Sequence, residues 1–196
     1  NAIAIAGAFA KKIHGAFVLL DEKHHCARVA RKEKGKLFTF DFADFRVPTL
    51  KGDLAHRDFT INTLAVDINA LTKGAALREI LIDIKHGLSD LTKKKIKMVS
   101  SKAFVEDPLR MMRAFSLKAD FDFKIEKMTL ARIKKDKKLL ANVARERVRD
   151  ELFKVLASSA AFDNLKAMHR VGLLEEFLPQ IRIMYHLPQG GYQHLS

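Results

Sequence analysis

The sequence predicts an α+β protein in which one helix and a small antiparallel sheet are followed by an all-helical unit. An apolar stripe at i, i+4 spacing over residues 2–14 predicts the first helix. Three strand-like runs separated by turns follow within residues 16–42 and predict a meander. Helical patterns dominate after Ile84. A helix followed by antiparallel strands is typical of an α+β layer, and 196 residues can bury a core in one domain or two small ones.

The first half of the chain is predicted to hold one helix and three strands. Ile5, Phe9 and Ile13 form the stripe of the helix, and Gly15 is a suitable residue to end it. The strands are expected over residues 16–20, 26–31 and 36–42. In the third strand the alternation of phenylalanines with polar residues predicts one strongly apolar face, and Asp41 lies on the opposite face.

Four helices are predicted in the second half of the chain. They are expected over residues 107–118, 126–138, 143–157 and 161–171. Asp107 is a suitable N-cap with Pro108 at the first helical position, and Gly172 is a suitable C-terminal stop.

Composition limits the function classes. No apolar run approaches the roughly 20 residues that span a bilayer, and the single cysteine, Cys26, fits a reducing cytoplasm. The formal net charge of +13 attracts polyanions, of which nucleic acid is the foremost candidate. A lysine-rich protein whose charge only keeps it dispersed is the alternative, and charge alone does not decide between them.

Three motifs carry more information than composition. Residues 57–67 read R-D-F-T-I-N-T-L-A-V-D, residues 106–115 read E-D-P-L-R-M-M-R-A-F, and residues 145–152 read R-E-R-V-R-D-E-L. In this order and spacing they resemble signatures of the class II tRNA nucleotidyltransferases (CCA-adding enzymes) and bacterial poly(A) polymerases. The resemblance runs from Asn1 to roughly Pro179, with His56 where the family usually has an arginine.

The resemblance implies a fold and a domain organisation. Residues 1–84 would form part of a polymerase-β-like nucleotidyltransferase head, and residues 85–180 a helical neck that selects the nucleotide and binds RNA. Residues 181–196 would be a linker toward a further domain. Neither the family's metal-binding D-x-D pair, which lies on a strand, nor the G-G-x-V-R-D loop before it is expected in this chain. The resemblance places both upstream of Asn1, so it assigns no catalytic residue here.

The resemblance also implies an activity. An enzyme of this kind adds C and/or A from CTP and ATP to the 3′ end of tRNA and releases pyrophosphate. Mg²⁺ would be bound mainly by residues outside this chain, and Asp41 is a further candidate ligand, with a solvated strand residue as the simpler alternative. Two other functions stay open: a poly(A) polymerase, and a non-catalytic RNA-binding module on the same scaffold.

Site residues follow from matching the motifs position by position. The resemblance implies nucleotide contacts for Arg57, Asn62, Asp107, Arg110 and Arg113. An acid and an arginine together can read the edges of C and A, which share an amino donor beside a ring-nitrogen acceptor. Arg147 and Glu151 would brace these side chains from behind. The alternative to a nucleotide site is purely structural. In it the 106–115 motif is a capped helix whose arginines meet solvent, and the 145–152 motif is a helix with salt bridges along its surface.

Two further features of the sequence are a glycine turn and two lysine-rich runs. Gly87 to Leu91 is similar to the family's G-x-x-D-L turn, which can act as a hinge. Two lysine-rich runs, residues 93–97 and 134–138, could meet RNA phosphates, although a solvated face and matching of the helix dipole are the simpler explanations.

Overall fold

The computed structural model describes residues 1–184 and divides into two compact units, Asn1–Asp53 and Leu54–Ser196. Within the described residues, no helix is both long enough and apolar enough to cross a membrane. The predicted α+β class is confirmed, because a helix with an antiparallel sheet opens the chain and helices make up most of the remainder. The predicted division at residues 84 and 180 stays a prediction.

The first unit contains one helix and a three-stranded sheet, as predicted. Helix α1 spans Ala2–Ile13, and the strands are β1 (Ala16–Asp21), β2 (Cys26–Glu33) and β3 (Lys36–Ala43). The sheet order is β1-β2-β3, and both pairings are antiparallel. The Asn1 side chain accepts hydrogen bonds from the first backbone N–H groups of α1 and so starts the helix.

The apolar face of β3 packs on α1. The Phe9 ring lies 5.0 Å from that of Phe40 and 5.5 Å from that of Phe42, measured between centroids. Ala27 and Val29 of β2 are fully buried in the same small core. Phe40 and Phe42 therefore share the predicted face, but burial does not alternate along β3, because Phe38 and Phe40 remain exposed.

The second unit begins with short elements. Helix α2 (Leu50–Ala55) crosses the boundary between the units and leads to one turn of 3-10 helix at Thr60–Asn62. The next elements are β4 (Leu64–Val66), α3 (Ile68–Thr72), α4 (Leu77–Ile80), β5 (Leu81–Asp83), α5 (Gly87–Thr92), β6 (Lys95–Ile96) and α6 (Ala103–Glu106). β4 and β5 pair antiparallel.

Longer helices form the rest of this unit. The elements are α7 (Arg110–Phe121), β7 (Lys124–Ile125), α8 (Lys127–Asp136), a 3-10 turn at Lys137–Asn142, α9 (Arg145–Leu156), α10 (Ala161–Arg170), α11 (Leu174–Phe177) and α12 (Ile181–Met184). Met111, Met112 and Phe115 of α7 are fully buried and anchor the main core. Gly172 ends α10 at φ 70°, in the left-handed region that glycine enters without strain.

Two expectations for this unit need correction. The chain after Ile84 is not all helical, because β6 and β7 form a parallel pair of two residues each, too short to give a strand pattern in sequence. Helix α7 begins at Arg110 and not at Asp107, although the Asp107 carboxylate does accept a hydrogen bond from the N–H of Leu109 at 3.2 Å. The predicted linker 181–196 stays a prediction: its first four residues form α12, and residues 185–196 lie outside the described part.

Candidate nucleotide site

The segment around Arg57 is a short turn fixed by contacts on both sides. The chain after Asp58 forms only the 3-10 turn at Thr60–Asn62, in which Thr60 N–H donates to the carbonyl of Lys97 at 2.9 Å. Phe59 is fully buried beneath this turn. The Arg57 side chain itself is exposed, so the turn presents it at the surface.

Helix α5 packs directly against this turn. The Thr60 hydroxyl donates to the buried Asp90 carboxylate at 2.8 Å. A Cβ added to Gly87 would lie 2.1 Å from the Thr60 carbonyl oxygen, so only glycine allows this approach. The G-x-x-D-L residues therefore fix the Arg57 turn, a role that their spacing in sequence did not reveal.

Asp58 is the hydrogen-bonding centre of the turn. Its carboxylate accepts from the N–H of Phe59 at 2.8 Å, from Asn62 Nδ2 at 2.9 Å and from Arg113 Nε at 2.9 Å. Burial by itself would raise the pKa of Asp58, but the charge of Arg113 and these three donors outweigh it and lower the pKa below the usual 3.8. Asp58 therefore joins this turn to α7, but it does not cap the turn, because the N-cap residue is Phe59 and no side chain makes a cap hydrogen bond there.

The Asp58→Asn variant is expected to be less stable than the wild type at neutral pH, by about 2 kcal/mol, since it breaks a charge-assisted bond to Arg113. A lowered pKa stabilises the fold fully above the unfolded value of 3.8 and loses that effect as the pH falls through the folded pKa. The difference in free energy of unfolding between wild type and variant should therefore be constant from about pH 7 to 5 and become smaller below about pH 4. Urea denaturation at several pH values measures it.

The matched control is Asp41→Asn, which removes an exposed carboxylate that also has a lowered pKa, here through hydrogen bonds from Arg28. Solvent screens that pair, so the control should change the stability little at any pH. A gap for Asp58→Asn that stays unchanged at acid pH would contradict the assignment.

Arg110 is buried and turned toward the Arg57 segment. Its side chain is 6% exposed. Nη2 donates to the carbonyl of His56 at 2.6 Å, and Nη1 donates to the carbonyl of Ala103 at 3.2 Å and to Glu106 Oε2 at 3.4 Å. A longer contact of 3.5 Å joins Nη1 to the carbonyl of Arg57. The rigid fork of donors therefore holds the main chain of residues 56–57 against the start of α7.

Asp107 lies one helical turn before Arg110 and is half-buried. Its Oδ2 is 3.5 Å from Arg147 Nη2 of α9, and the exposed side chain of Arg147 makes this a weak contact. Arg147 thus reaches one of the residues that it was predicted to brace.

Glu151 is the second contact from α9. Its buried carboxylate accepts from the hydroxyl of Ser116, from Lys154 Nζ at 2.7 Å, and lies 3.9 Å from Arg113 Nη1. Ser116 stands where the family often has another arginine. Lys154, which the sequence reasoning missed, supplies a cation to Glu151, and its i, i+3 spacing from Glu151 was the available signal.

The structure therefore places the residues predicted to bind or support the nucleotide in the second unit. Three sets of contacts connect them: Asn62 through Asp58 and Arg113 to Glu151, the main chain of Arg57 to Arg110, and Asp107 to Arg147. The predicted nucleotide contacts of these residues stay predictions.

The candidate metal ligand Asp41 is paired with a cation. Arg28 donates to both of its oxygens, at 2.6 and 2.8 Å. Among residues 1–184 no group of three or more carboxylate, histidine or cysteine side chains could hold a metal ion. One D-x-D spacing does occur, at Asp120 and Asp122, contrary to the expectation of none, but these residues lie at the end of α7 and not on a strand.

Family models match most of the chain. Residues 2–97 match the model described as poly A polymerase head domain. Residues 122–184 match the model described as probable RNA and SrmB-binding site of polymerase A.

Curated relatives and solved structures agree with these models. A CC-adding tRNA nucleotidyltransferase of Geobacter sulfurreducens is 44% identical over 149 residues, which cover 76% of this chain and 32% of the relative. An A-adding tRNA nucleotidyltransferase of Deinococcus radiodurans is 35% identical over 196 residues, covering 97% of this chain and 42% of the relative. The chain thus spans roughly a third to two fifths of the length of such relatives.

Two solved structures have the same fold over nine tenths of the chain. A tRNA-processing enzyme with CTP matches at a TM-score of 0.74 and 29% identity, over 90% of this chain and 47% of its own. A Thermotoga maritima CCA-adding enzyme complexed with tRNA-CCA matches at 0.73 and 29%, over 92% and 42%. The motifs, their placement around the Arg57 turn and these matches lead to one conclusion: the chain belongs to the family of tRNA nucleotidyltransferases and poly(A) polymerases.

Proposed function

We propose that the protein containing this chain adds C and/or A, taken from CTP and ATP, to the 3′ end of tRNA and releases pyrophosphate. The observation that carries the proposal is the start of α7, where Asp107 and Arg110 stand one turn apart beside the Arg57 turn. Relatives that add C or A to tRNA, and solved relatives with CTP, ATP or tRNA, support it.

The chemistry of selection follows from donors and acceptors. The Asp107 carboxylate can accept from the exocyclic amino group of C or A, which U lacks, and its long contact with Arg147 is the one to be exchanged for a base. Arg110 can donate to the ring nitrogen only if it exchanges contacts that it makes with main-chain carbonyls. Its present contacts support a second task, which is to hold the Arg57 segment in place.

Arg113 is held in a comparable way. Its guanidinium lies between Asp58 and Glu151, so it is oriented by carboxylates on both sides while its side chain stays 38% exposed. An arginine fixed from behind loses less conformational entropy when it meets a phosphate or base. This arrangement supports the proposed nucleotide contact of Arg113.

Nucleotidyl transfer in this family is generally metal-dependent. We keep Mg²⁺ as the proposed ion, since two such ions suit phosphoryl-type transfer and prefer carboxylate oxygens. The described residues do not fit a metal centre, because Asp41 is bound to Arg28 and no third ligand accompanies any pair. We therefore assign no catalytic step to a metal held by this chain.

The Asp107→Ala variant tests the proposal. The complete gene product would be offered labelled CTP, ATP, GTP and UTP with tRNA that lacks its 3′ end. We expect the wild type to incorporate C or A and to reject G and U. We expect the variant to lose roughly 10- to 100-fold of its preference for C over U, the effect of about 1–3 kcal/mol for one two-bond base contact.

The control is Asp150→Ala, which removes an exposed carboxylate of α9 that, in the described part of the chain, pairs only with its neighbour Arg149. It should keep the wild-type selection. Full base discrimination by Asp107→Ala, or ready incorporation of G and U by the wild type, would refute the assignment. Long runs of A added to any RNA would favour the poly(A) polymerase alternative, and tRNA binding without incorporation would favour the non-catalytic module. A cytoplasmic location follows from tRNA as the substrate and stays a prediction.

A further inference from the structure

We propose that one face of α8 and the 3-10 turn after it is the surface on which the RNA backbone docks. This inference rests on the proposed RNA substrate and names the part of the chain that binds it. Lys127, Lys134 and Lys138 are all exposed on this face. We call these three residues the α8 lysine line.

Helix geometry places the three lysines in one row. Seven residues make two turns to within about 20°, so Lys134 lies almost directly along the axis from Lys127, roughly 10 Å away. Lys138 follows four residues later, a little over one turn, in the 3-10 turn that extends α8. The row therefore runs along the axis, as a row of cations must if it is to follow a strand of phosphates.

Apart from the exposed Lys135, the other charges of the segment from Glu126 to Lys138 already have partners. The buried Asp136 binds Arg132, and Glu126 Oε2 accepts from the Thr129 hydroxyl at 3.1 Å. Lys137 turns inward, to the carbonyl of Gly172 at 3.3 Å and to Glu176 at 3.4 Å. By contrast, within residues 1–184 the α8 lysine line forms no ion pair.

The line is unfavourable for the isolated helix. Lys127 is the first residue of α8, where the helix dipole repels a cation, and Lys134 and Lys138 repel each other at i, i+4. A favourable interaction with the helix dipole cannot explain Lys127, because this residue is at the N-terminus of α8. It does not explain Lys134 and Lys138 well either, because the helical segment continues through Asn142 and these lysines are not at its end. Phosphates along the row would relieve each of these repulsions and release counterions.

The partner chemistry is that of an RNA sugar–phosphate backbone. A row of lysines has no acceptor with which to read base edges, and contacts to phosphates set position without reading sequence. The surface would therefore hold the tRNA in register while the Asp107 turn selects the incoming nucleotide. Selection and docking would reside in different elements and can be tested separately.

The experiment compares two triple variants with equal loss of charge. Lys127→Gln/Lys134→Gln/Lys138→Gln removes the line, and Lys23→Gln/Lys32→Gln/Lys36→Gln removes three exposed lysines from the first unit. Binding of tRNA to the chain is measured from about 50 to 300 mM KCl. Since each phosphate contact contributes about 0.7–0.9 to the slope of log K against log salt, the first triple should lower the slope by about 2. The control triple should leave it near the wild-type value.

Equal slopes for the two triples would overturn the proposal, and so would a wild-type slope near zero. Circular dichroism of each triple variant should show the wild-type helix content, so that a smaller salt dependence of tRNA binding cannot be attributed to unfolding. Incorporation of C and A over G and U is scored separately in the gene product. If the gene product still selects C and A but the two triple variants have equal slopes, the proposed docking surface is wrong and the proposed function is unaffected. If the wild type does not select C or A, the proposed function fails whatever the slopes.

Discussion

Replacement of Gly87 by alanine is expected to lower the free energy of unfolding by about 3 kcal/mol or more, although it adds a single methyl group. The new Cβ would lie 2.1 Å from the Thr60 carbonyl oxygen and 3.0 Å from the carbonyl carbon. This obstacle is main chain, and it cannot move away cheaply because Thr60 N–H is bonded to Lys97 and its hydroxyl to Asp90. The turn that presents Arg57 must shift, so nucleotide binding should be lost as well.

The matched control is Gly7→Ala in the interior of α1. A Cβ at Gly7 would meet nothing within 4 Å. Since glycine in a helix costs roughly 0.5–1 kcal/mol relative to alanine, this variant should be more stable than the wild type. Urea denaturation of both variants gives the comparison. If Gly87→Ala proved as harmless as Gly7→Ala, the packing of α5 on the Arg57 turn would be wrong.

Removal of the Arg110 side chain is the second large effect, with an expected loss of about 3 kcal/mol. Arg110→Ala would leave the carbonyls of His56 and Ala103 without this buried donor and Glu106 without this guanidinium. Arg110→Lys should recover part of the loss, because an ammonium keeps the charge but cannot supply a fork that reaches acceptors on two segments.

Arg145→Ala is the control for Arg110, since Arg145 is exposed at the start of α9 and has no ion pair among the described residues. It should melt at nearly the wild-type temperature. The measurement is the melting temperature of Arg110→Ala, Arg110→Lys and Arg145→Ala, with CTP binding measured for those variants that fold. An Arg110→Ala protein as stable as Arg145→Ala would contradict the proposed hold on the Arg57 segment.

Local patterns predicted the first unit well. The helix and the meander follow from stripes and alternation within a dozen residues, and each strand lies within three residues of its prediction. The two-residue strands β6 and β7 were beyond such reasoning, because Lys95 and Lys124 are partners only after α7 brings them together. The start of α7 was misplaced for a related reason, since the Asp107 cap also fits the extended turn that precedes a helix.

The site shows the same limit. Resemblance of motifs identified residues that the fold does gather in one unit. The main-chain partners of Arg110 could not be predicted, because a buried guanidinium takes whichever carbonyls tertiary packing brings near it. The contact of Gly87 with Thr60 could not be predicted for the same reason, since the G-x-x-D-L sequence does not indicate which main-chain segment packs against its glycine.

The chain of contacts from Asp58 through Arg113 to Glu151 has a consequence for folding. Arg113 and Asp58 are 55 positions apart in sequence, so their ion pair closes a long loop and forms only after α7 has packed on the Arg57 turn; the contact of Arg113 with Glu151 forms only after α9 has also packed. A peptide that carries one motif alone would therefore be inert toward nucleotide. A nucleotide that binds only the assembled arrangement must raise the melting temperature with its concentration, which makes a thermal shift a direct report on whether the three segments have come together.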